Sequence, residues 1–200
     1  MNQNTIKLHD GLLLAAGSER RCYVHPDSAG QCLKVPIKSG LGRKCPQCRL
    51  DVYTAARLKS RGVPLLHAVD CQGWVETNLG PAIMLDRVLN QDGSPSITLQ
   101  SALEQGLLGW DRVREMLHEL RTWAIQYAVV ISELNLKNLM LRTGSDGDRL
   151  VVVDGLGGRK PDMVFHLRSR IPWMARHKTL KRWPREYNKV ESAAMSIFKH

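Results

Sequence analysis

The stretch VVISELNLKNLMLRTGSDGDRLVVVDGLGG, residues 129–158, decides how this chain is read. Leu139-Met140-Leu141 and Leu150-Val151-Val152-Val153 are short apolar runs on either side of the turn-rich cluster Thr143-Gly144-Ser145-Asp146-Gly147-Asp148. Such a pattern predicts a β-hairpin. Pairing brings the start of the first strand beside the end of the second. Asn138, with Glu133 upstream of it, is thereby set close to Asp154, which opens Asp-Gly-Leu-Gly-Gly. Asn and Asp offer oxygen donors of the kind that suits a magnesium ion retaining several waters and bridging to phosphates. The glycines let the backbone turn sharply beside Asp154. The plainer readings are a turn or cap for Asp154, a turn residue for Asn138 and a solvated loop acid for Glu133. An Asp that follows four apolar strand residues and leads into Gly-x-Gly-Gly is poorly explained by packing.

Upstream, residues 6–35 read as strands and turns. The apolar stretch ends at Ala16, Gly17-Ser18-Glu19 makes a turn, and Pro26-Asp27-Ser28-Ala29-Gly30 is a strong turn signal. Gln31-Cys32-Leu33-Lys34-Val35 is then a short strand carrying one lysine, whose ordinary reading alone is a solvated side chain. After the glycine-rich SGLG linker at 39–42, Leu50, Tyr53, Ala56, Arg57 and Leu58 fall near helical spacing as far as Gly62. Residues 65–69 and 82–88 read as two further strands, and the loop at 90–95 places a boundary near Asp92. The spacing predicts a short helix over 97–105. It predicts a longer one over 110–129, with Val113, Met116, Leu117, Leu120, Trp123, Ala124 and Tyr127 on one face. Trp173 and Trp183 read as anchors of a terminal helix pair.

A composition of 43% hydrophobic and 24% charged residues is that of a globular chain, not a disordered one. No apolar run approaches the roughly 18 residues of a membrane helix. The N-terminal stretch lacks the features of a secretory signal, so the expectation is a cytoplasmic protein. Five cysteines, an odd number, then read as reduced thiols. Cys45-Pro46-Gln47-Cys48 alone has metal-ligand or redox spacing. A structural zinc would need two further ligands, so the pair reads as thiols near the start of a helix. His67, His118, His166 and His177 show no ligand spacing. Of the net charge of +10, +8 falls in residues 159–200. That basic region suits an anionic partner, or simply keeps the surface solvated. No nucleic-acid motif accompanies it, which leaves a basic nucleic-acid or membrane-surface binder behind the other readings.

With these residues in place, the chain resembles the protein kinases. Their catalytic loop sets an acid five residues before a metal-binding Asn, and a later Asp-Phe-Gly holds magnesium. More closely, it is similar over nearly all its length to the bacterial PhoP regulatory network protein YrbL family. The similarity runs from RRCYVHPDSAGQCLKV through DGSPSITL, LNLKNLM and VVVDGLG to Lys181-Arg182-Trp183. It implies an α+β, protein-kinase-like fold: a small antiparallel-sheet lobe over 1–91 and a short, mainly helical lobe over 92–200. It further implies ATP and Mg2+ as cofactors. Lys34 would meet the α- and β-phosphates, the turn at Gly17 would cover the phosphates, and Asp51 would orient Lys34. Asn138 and Asp154 would hold the metal, with Glu133 and Asp154 catalytic. The phosphate acceptor is not named by the sequence.

The departures from the kinase pattern are specific. Ile131-Ser132-Glu133 stands where kinases have His-Arg-Asp, so the acid is one methylene longer. Ala16-Gly17-Ser18-Glu19 falls short of a full glycine-rich loop. No Glu lies on the helix after Lys34, where either Asp51 or Arg49 takes the partner position. Only 46 residues follow Asp154, with no Ala-Pro-Glu segment. Two expectations follow: an ATP-dependent phosphotransferase, or a catalytically inactive pseudokinase acting as a regulatory module through its basic C-terminal surface.

Overall fold

The computed structural model describes residues 5–37, 42–158 and 171–199. The chain divides into two compact units, Met1–Gly62 with Val69–Arg87, and Val63–Ala68 with Val88–His200.

The first unit contains strands β1 (Leu13–Ala16), β2 (Arg20–His25), β3 (Ser28–Pro36), β4 (Cys71–Thr77) and β5 (Gly80–Asp86), and helix α1 (Pro46–Ser60). The strands form one antiparallel sheet in the order β1-β2-β3-β5-β4. Side chains alternate across a sheet. Tyr23, Leu33, Val35 and Ala82 therefore go to one face, where Leu8 joins them. Cys32, Cys71, Ile83 and Leu85 go to the other and are covered by Cys48, Val52 and Ala55 of α1. Leu33 and Ile83 are wholly buried, each worth about 2–3 kcal/mol.

Several expected elements shift. Residues 65–69 are not a strand; all but Val69 belong to the second unit, where the Pro64 carbonyl accepts from Trp123 Nε1 at 2.9 Å. The strand is instead β4, and that of 82–88 runs Gly80–Asp86. Gly73, at φ +105°, accommodates a bulge in β4 that breaks the apolar pattern. β3 begins at Ser28, which confines the turn to Pro26-Asp27. On α1 the buried alanine is Ala55, and Ala56 is exposed. The SGLG linker lies largely outside the described residues.

The second unit contains β6 (Ile97–Thr98), α2 (Leu99–Glu104), α3 (Trp110–Gln126), β7 (Leu139–Arg142), β8 (Arg149–Val152) and α4 (Pro172–Ile197). The helix expected over 97–105 begins two residues late, because Ile97 and Thr98 pair with Leu141 and Met140 of β7. Thr98 then caps α2, its Oγ1 accepting the Ser101 N–H at 3.1 Å. On α3 the stripe from Val113 to Ala124 is buried as its spacing predicts. The helix ends with Ala128 N–H on the Ile125 carbonyl and Val129 N–H on the Ala124 carbonyl. This Schellman closure puts Ala128 at φ +50° and launches residues 129–134.

The expected terminal pair of helices is one helix among the described residues. In α4, Ala175, Thr179, Trp183, Glu186, Val190 and Ala194 form a continuous buried stripe. Pro184 lies inside it, on the exposed side. Its missing N–H leaves the exposed Leu180 without a helical donor, which water can replace. Trp183 is buried but Trp173 is 67% exposed, so only one of the two tryptophans anchors α4. Residues 159–170 of the basic region lie outside the described residues. No helix among the described residues is long and apolar enough to cross a membrane.

Candidate functional site

In the first unit, Lys34 lies on the α1 face of β3, and Asp51 faces it from α1. Lys34 Nζ is 3.8 Å from Asp51 Oδ2, with side chains 12% and 11% exposed. The same oxygen is 2.5 Å from Arg20 NH1. Arg20 is on β2, two residues from Cys22, which pairs with Lys34 across the sheet; the alternation therefore puts both cations on one face. Arg49, the other residue read for the position beside Lys34, is exposed. Gly17 is in the exposed β1–β2 turn, its N–H donating to the Arg20 carbonyl at 2.9 Å.

In the second unit, β7 and β8 pair as the sequence predicts, with Leu139 opposite Val152. Val153 N–H continues the ladder onto the Asn138 carbonyl at 3.0 Å, which puts Asp154 one residue from the Asn138 strand. Asn138 N–H is held by Asn135 Oδ1 at 2.8 Å, and Asp154 Oδ1 accepts the Gly155 N–H at 2.8 Å. Residues 130–132 run beside 155–157. Ser132 gives both its N–H and its Oγ–H to the Gly155 carbonyl at 2.8 Å, and Gly157 N–H reaches the Val130 carbonyl at 2.7 Å. Gly155 has φ +92°, and a Cβ there would stand 2.5 Å from the Glu133 carbonyl oxygen, so this position demands glycine. The Glu133 side chain is exposed.

One support for this loop was not read from the sequence. Thr179 Oγ1 donates to the Val129 carbonyl at 2.9 Å, Arg182 NH1 to the Ser132 carbonyl at 3.1 Å, and Glu186 Oε2 accepts the Leu134 N–H at 3.3 Å. The backbone on both sides of Glu133 is thus held by α4. Glu186 is 1% exposed and also meets Lys189 Nζ at 3.3 Å. The available signal was the polar Thr179 and Glu186 on an otherwise apolar helical stripe; a buried polar group there needs a partner. Arg182, read as part of a basic surface, is directed at the loop instead.

His67 is buried, with Nδ1 2.7 Å from the Leu150 carbonyl and its ring 5.5 Å from that of Trp123. Burial lowers its pKa below the ordinary value, against the raising effect of the Leu150 contact.

The donor chemistry near the hairpin fits a hard cation. Asn138 and Asp154 carry oxygen donors on adjacent, hydrogen-bonded segments, and two protein ligands plus water and phosphate are enough for magnesium.

These observations define an α+β protein: a five-stranded antiparallel sheet with a lysine on its third strand, then a mainly helical unit built around a loop and hairpin. The family model of the PhoP regulatory network protein YrbL matches residues 6–191, and the chain belongs to that family. The uncharacterized protein YrbL of Escherichia coli (strain K12) is 28% identical over 188 residues, which cover 90% of this chain and 85% of that relative. The protein of the same name from Shigella flexneri matches to the same extent. Among solved structures, a single-mutant form of the Mycobacterium tuberculosis PknI kinase domain is similar at a TM-score of 0.46 and 20% identity, covering 72% of this chain. A double-mutant form gives 0.48, also at 20% identity and over 72% of this chain. The chain spans 57% and 58% of the length of those two kinase domains.

Proposed function

We propose that this chain binds ATP with magnesium and transfers a phosphoryl group to an acceptor hydroxyl, within the regulatory network that its family name describes. The observation that supports the reading is the hydrogen bond from Val153 N–H to the Asn138 carbonyl, which joins the backbone segments that carry Asn138 and Asp154. In this reading Asn138 and Asp154 hold the metal, which supplies neutralisation of the phosphate charge. Lys34 meets the α- and β-phosphates as a point charge, with Asp51 orienting its ammonium group. The turn at Gly17 covers the phosphates. Glu133, exposed on a loop whose backbone is fixed on both sides, orients the acceptor and takes its proton.

A second reading, a pseudokinase that regulates by binding, is favoured by one observation. Asp51 lies closer to Arg20 than to Lys34, so the carboxylate that should position the lysine is shared. Exposed Lys181 and Arg185 on α4 would then meet an anionic partner.

Calorimetric titration of ATP into the wild type and Asp154→Ala, with and without magnesium, tests the proposal. Binding that requires both magnesium and Asp154 is the expected result; no binding in any condition sinks it. Glu133→Gln separates the two readings: a phosphotransferase keeps binding and loses turnover, whereas a pseudokinase shows no change.

A further inference from the structure

All five cysteines fall in the first unit. Cys32, Cys45, Cys48 and Cys71 are buried together between the sheet and α1, and Cys22 packs against them. Two of them share more than a hydrophobic environment. Cys45 is the N-cap of α1, Pro46 begins the helix, and Cys48 lies in its first turn. The two sulfurs are neighbours that act on one another's ionisation, and the Cys45 side chain makes no capping hydrogen bond to the helix amides. The charge of Arg20 acts on both sulfurs.

We propose that Cys45 and Cys48 form a redox-active dithiol that closes reversibly to a disulfide by exchange with a low-molecular-weight disulfide of the glutathione type.

The geometry selects this pair over the other neighbouring one. Helical rise and radius place Cα atoms three residues apart at about 5 Å, within the roughly 4.4–6.8 Å that a disulfide spans. Cys22 and Cys32 sit diagonally across β2 and β3, since Cys22 pairs with Lys34 and Cys32 with Val24. Diagonal neighbours are about 7–8 Å apart, beyond the usual span.

The roles of the two thiols differ. The Cys48 thiol first, and Arg20 with it, hold Cys45 down to about 6 against the opposing effect of burial. Cys45 is thus the nucleophile at neutral pH. Cys48 is pushed up, first by its bond to Cys45 and then by burial, so it keeps its proton until the second step. The Cys45 thiolate attacks one sulfur of the small disulfide; that S–S bond breaks and a thiolate leaves. Cys48 then gives up its proton and attacks the Cys45 sulfur, releasing the second thiolate. The dithiol loses two electrons and two protons, and the small disulfide becomes two thiols. Cys45 and Cys48 are 2% and 0% exposed, so entry requires opening of the first turn of α1. That opening separates the turn from Cys32, Cys71, Ile83 and Leu85.

The test is incubation of the full chain in oxidised and reduced glutathione at pH 7, followed by acid quench, alkylation and mass mapping, with folding monitored by circular dichroism. Two of the five thiols should disappear, with the disulfide in the tryptic peptide 45–49, and dithiothreitol should restore them. Cys48→Ser should trap glutathione on Cys45, whereas Cys45→Ser should leave Cys48 unmodified. In the reduced wild type, Cys45 should alkylate faster than Cys48. A disulfide at Cys22–Cys32, one between chains, oxidation only of unfolded protein, or no adduct in a folded Cys48→Ser variant would each overturn the proposal.

Discussion

Asp51→Asn probes the contact that ties α1 to the lysine strand. The carboxylate lies 2.5 Å from Arg20 NH1 and 3.8 Å from Lys34 Nζ. At an effective dielectric near 20 these separations correspond to gross attractions of about 7 and about 4 kcal/mol. Desolvation of three largely buried side chains cancels most of that. Removing one partner of a buried ion pair costs about 3–5 kcal/mol. Asparagine keeps the shape and one acceptor oxygen for Arg20, which restores about 1 kcal/mol, so the expected net loss is about 2–4 kcal/mol. For a chain of this length that lowers Tm by roughly 4–16 °C. Urea unfolding followed by circular dichroism and tryptophan fluorescence measures it, as a lower midpoint at unchanged slope. Because the pair is buried, the loss should persist from low salt to about 0.5 M. Combining the change with Arg20→Met in a double-mutant cycle should give a coupling of at least about 1 kcal/mol. A loss below about 0.5 kcal/mol, or one that salt abolishes, would show that Asp51 behaves as a surface charge and that the first unit does not position Lys34 this way.

Three other outcomes are expected. Thr179→Val, nearly isosteric, deprives the buried Val129 carbonyl of its 2.9 Å donor and should cost about 1–2 kcal/mol in denaturant unfolding. Gly155→Ala combines φ +92° with a 2.5 Å contact to the Glu133 carbonyl and should cost about 2–3 kcal/mol or more; a neutral result would remove the constraint placed on this loop. His67 has a depressed folded-state pKa, so the unfolded chain takes up its proton first. Its contribution to stability is complete above the ordinary value of 6.5 and is lost progressively as the pH falls below it. Denaturant midpoints from pH 8 to 5 should therefore fall less steeply in His67→Gln.

The parts of the chain that announce themselves do so through local chemistry. Residues 143–148 supply turn residues between two apolar runs, and the β7–β8 hairpin follows at the expected place. The α3 stripe has an unbroken helical period and is buried accordingly. β4 gave the opposite impression: Cys71–Thr77 carries Gln72, Gly73 and Glu76, and its bulge disrupts the two-residue period, while the apolar 65–69 segment looked more strand-like. The connector gains its order from Trp123 and Leu150, far along the chain, which no local pattern discloses. The same distance hides Arg20, whose partner is 31 residues away, and Glu186, 52 residues from Leu134. Lys34, Asn138 and Asp154 stood out by residue type and order, whereas the groups that hold their surroundings in place are recognisable only in three dimensions.

The dependence of residues 129–134 on α4 has a consequence for synthesis. A ribosome makes about 5–20 residues per second, so Glu186 follows Leu134 by roughly 3–10 s. During that interval Val129, Ser132 and Leu134 lack Thr179, Arg182 and Glu186, and the β7–β8 hairpin can already pair. The nascent chain therefore assembles its hairpin first and fastens the loop last. A chain truncated before residue 179 would keep the hairpin residues and lose all three of these α4 contacts to the loop.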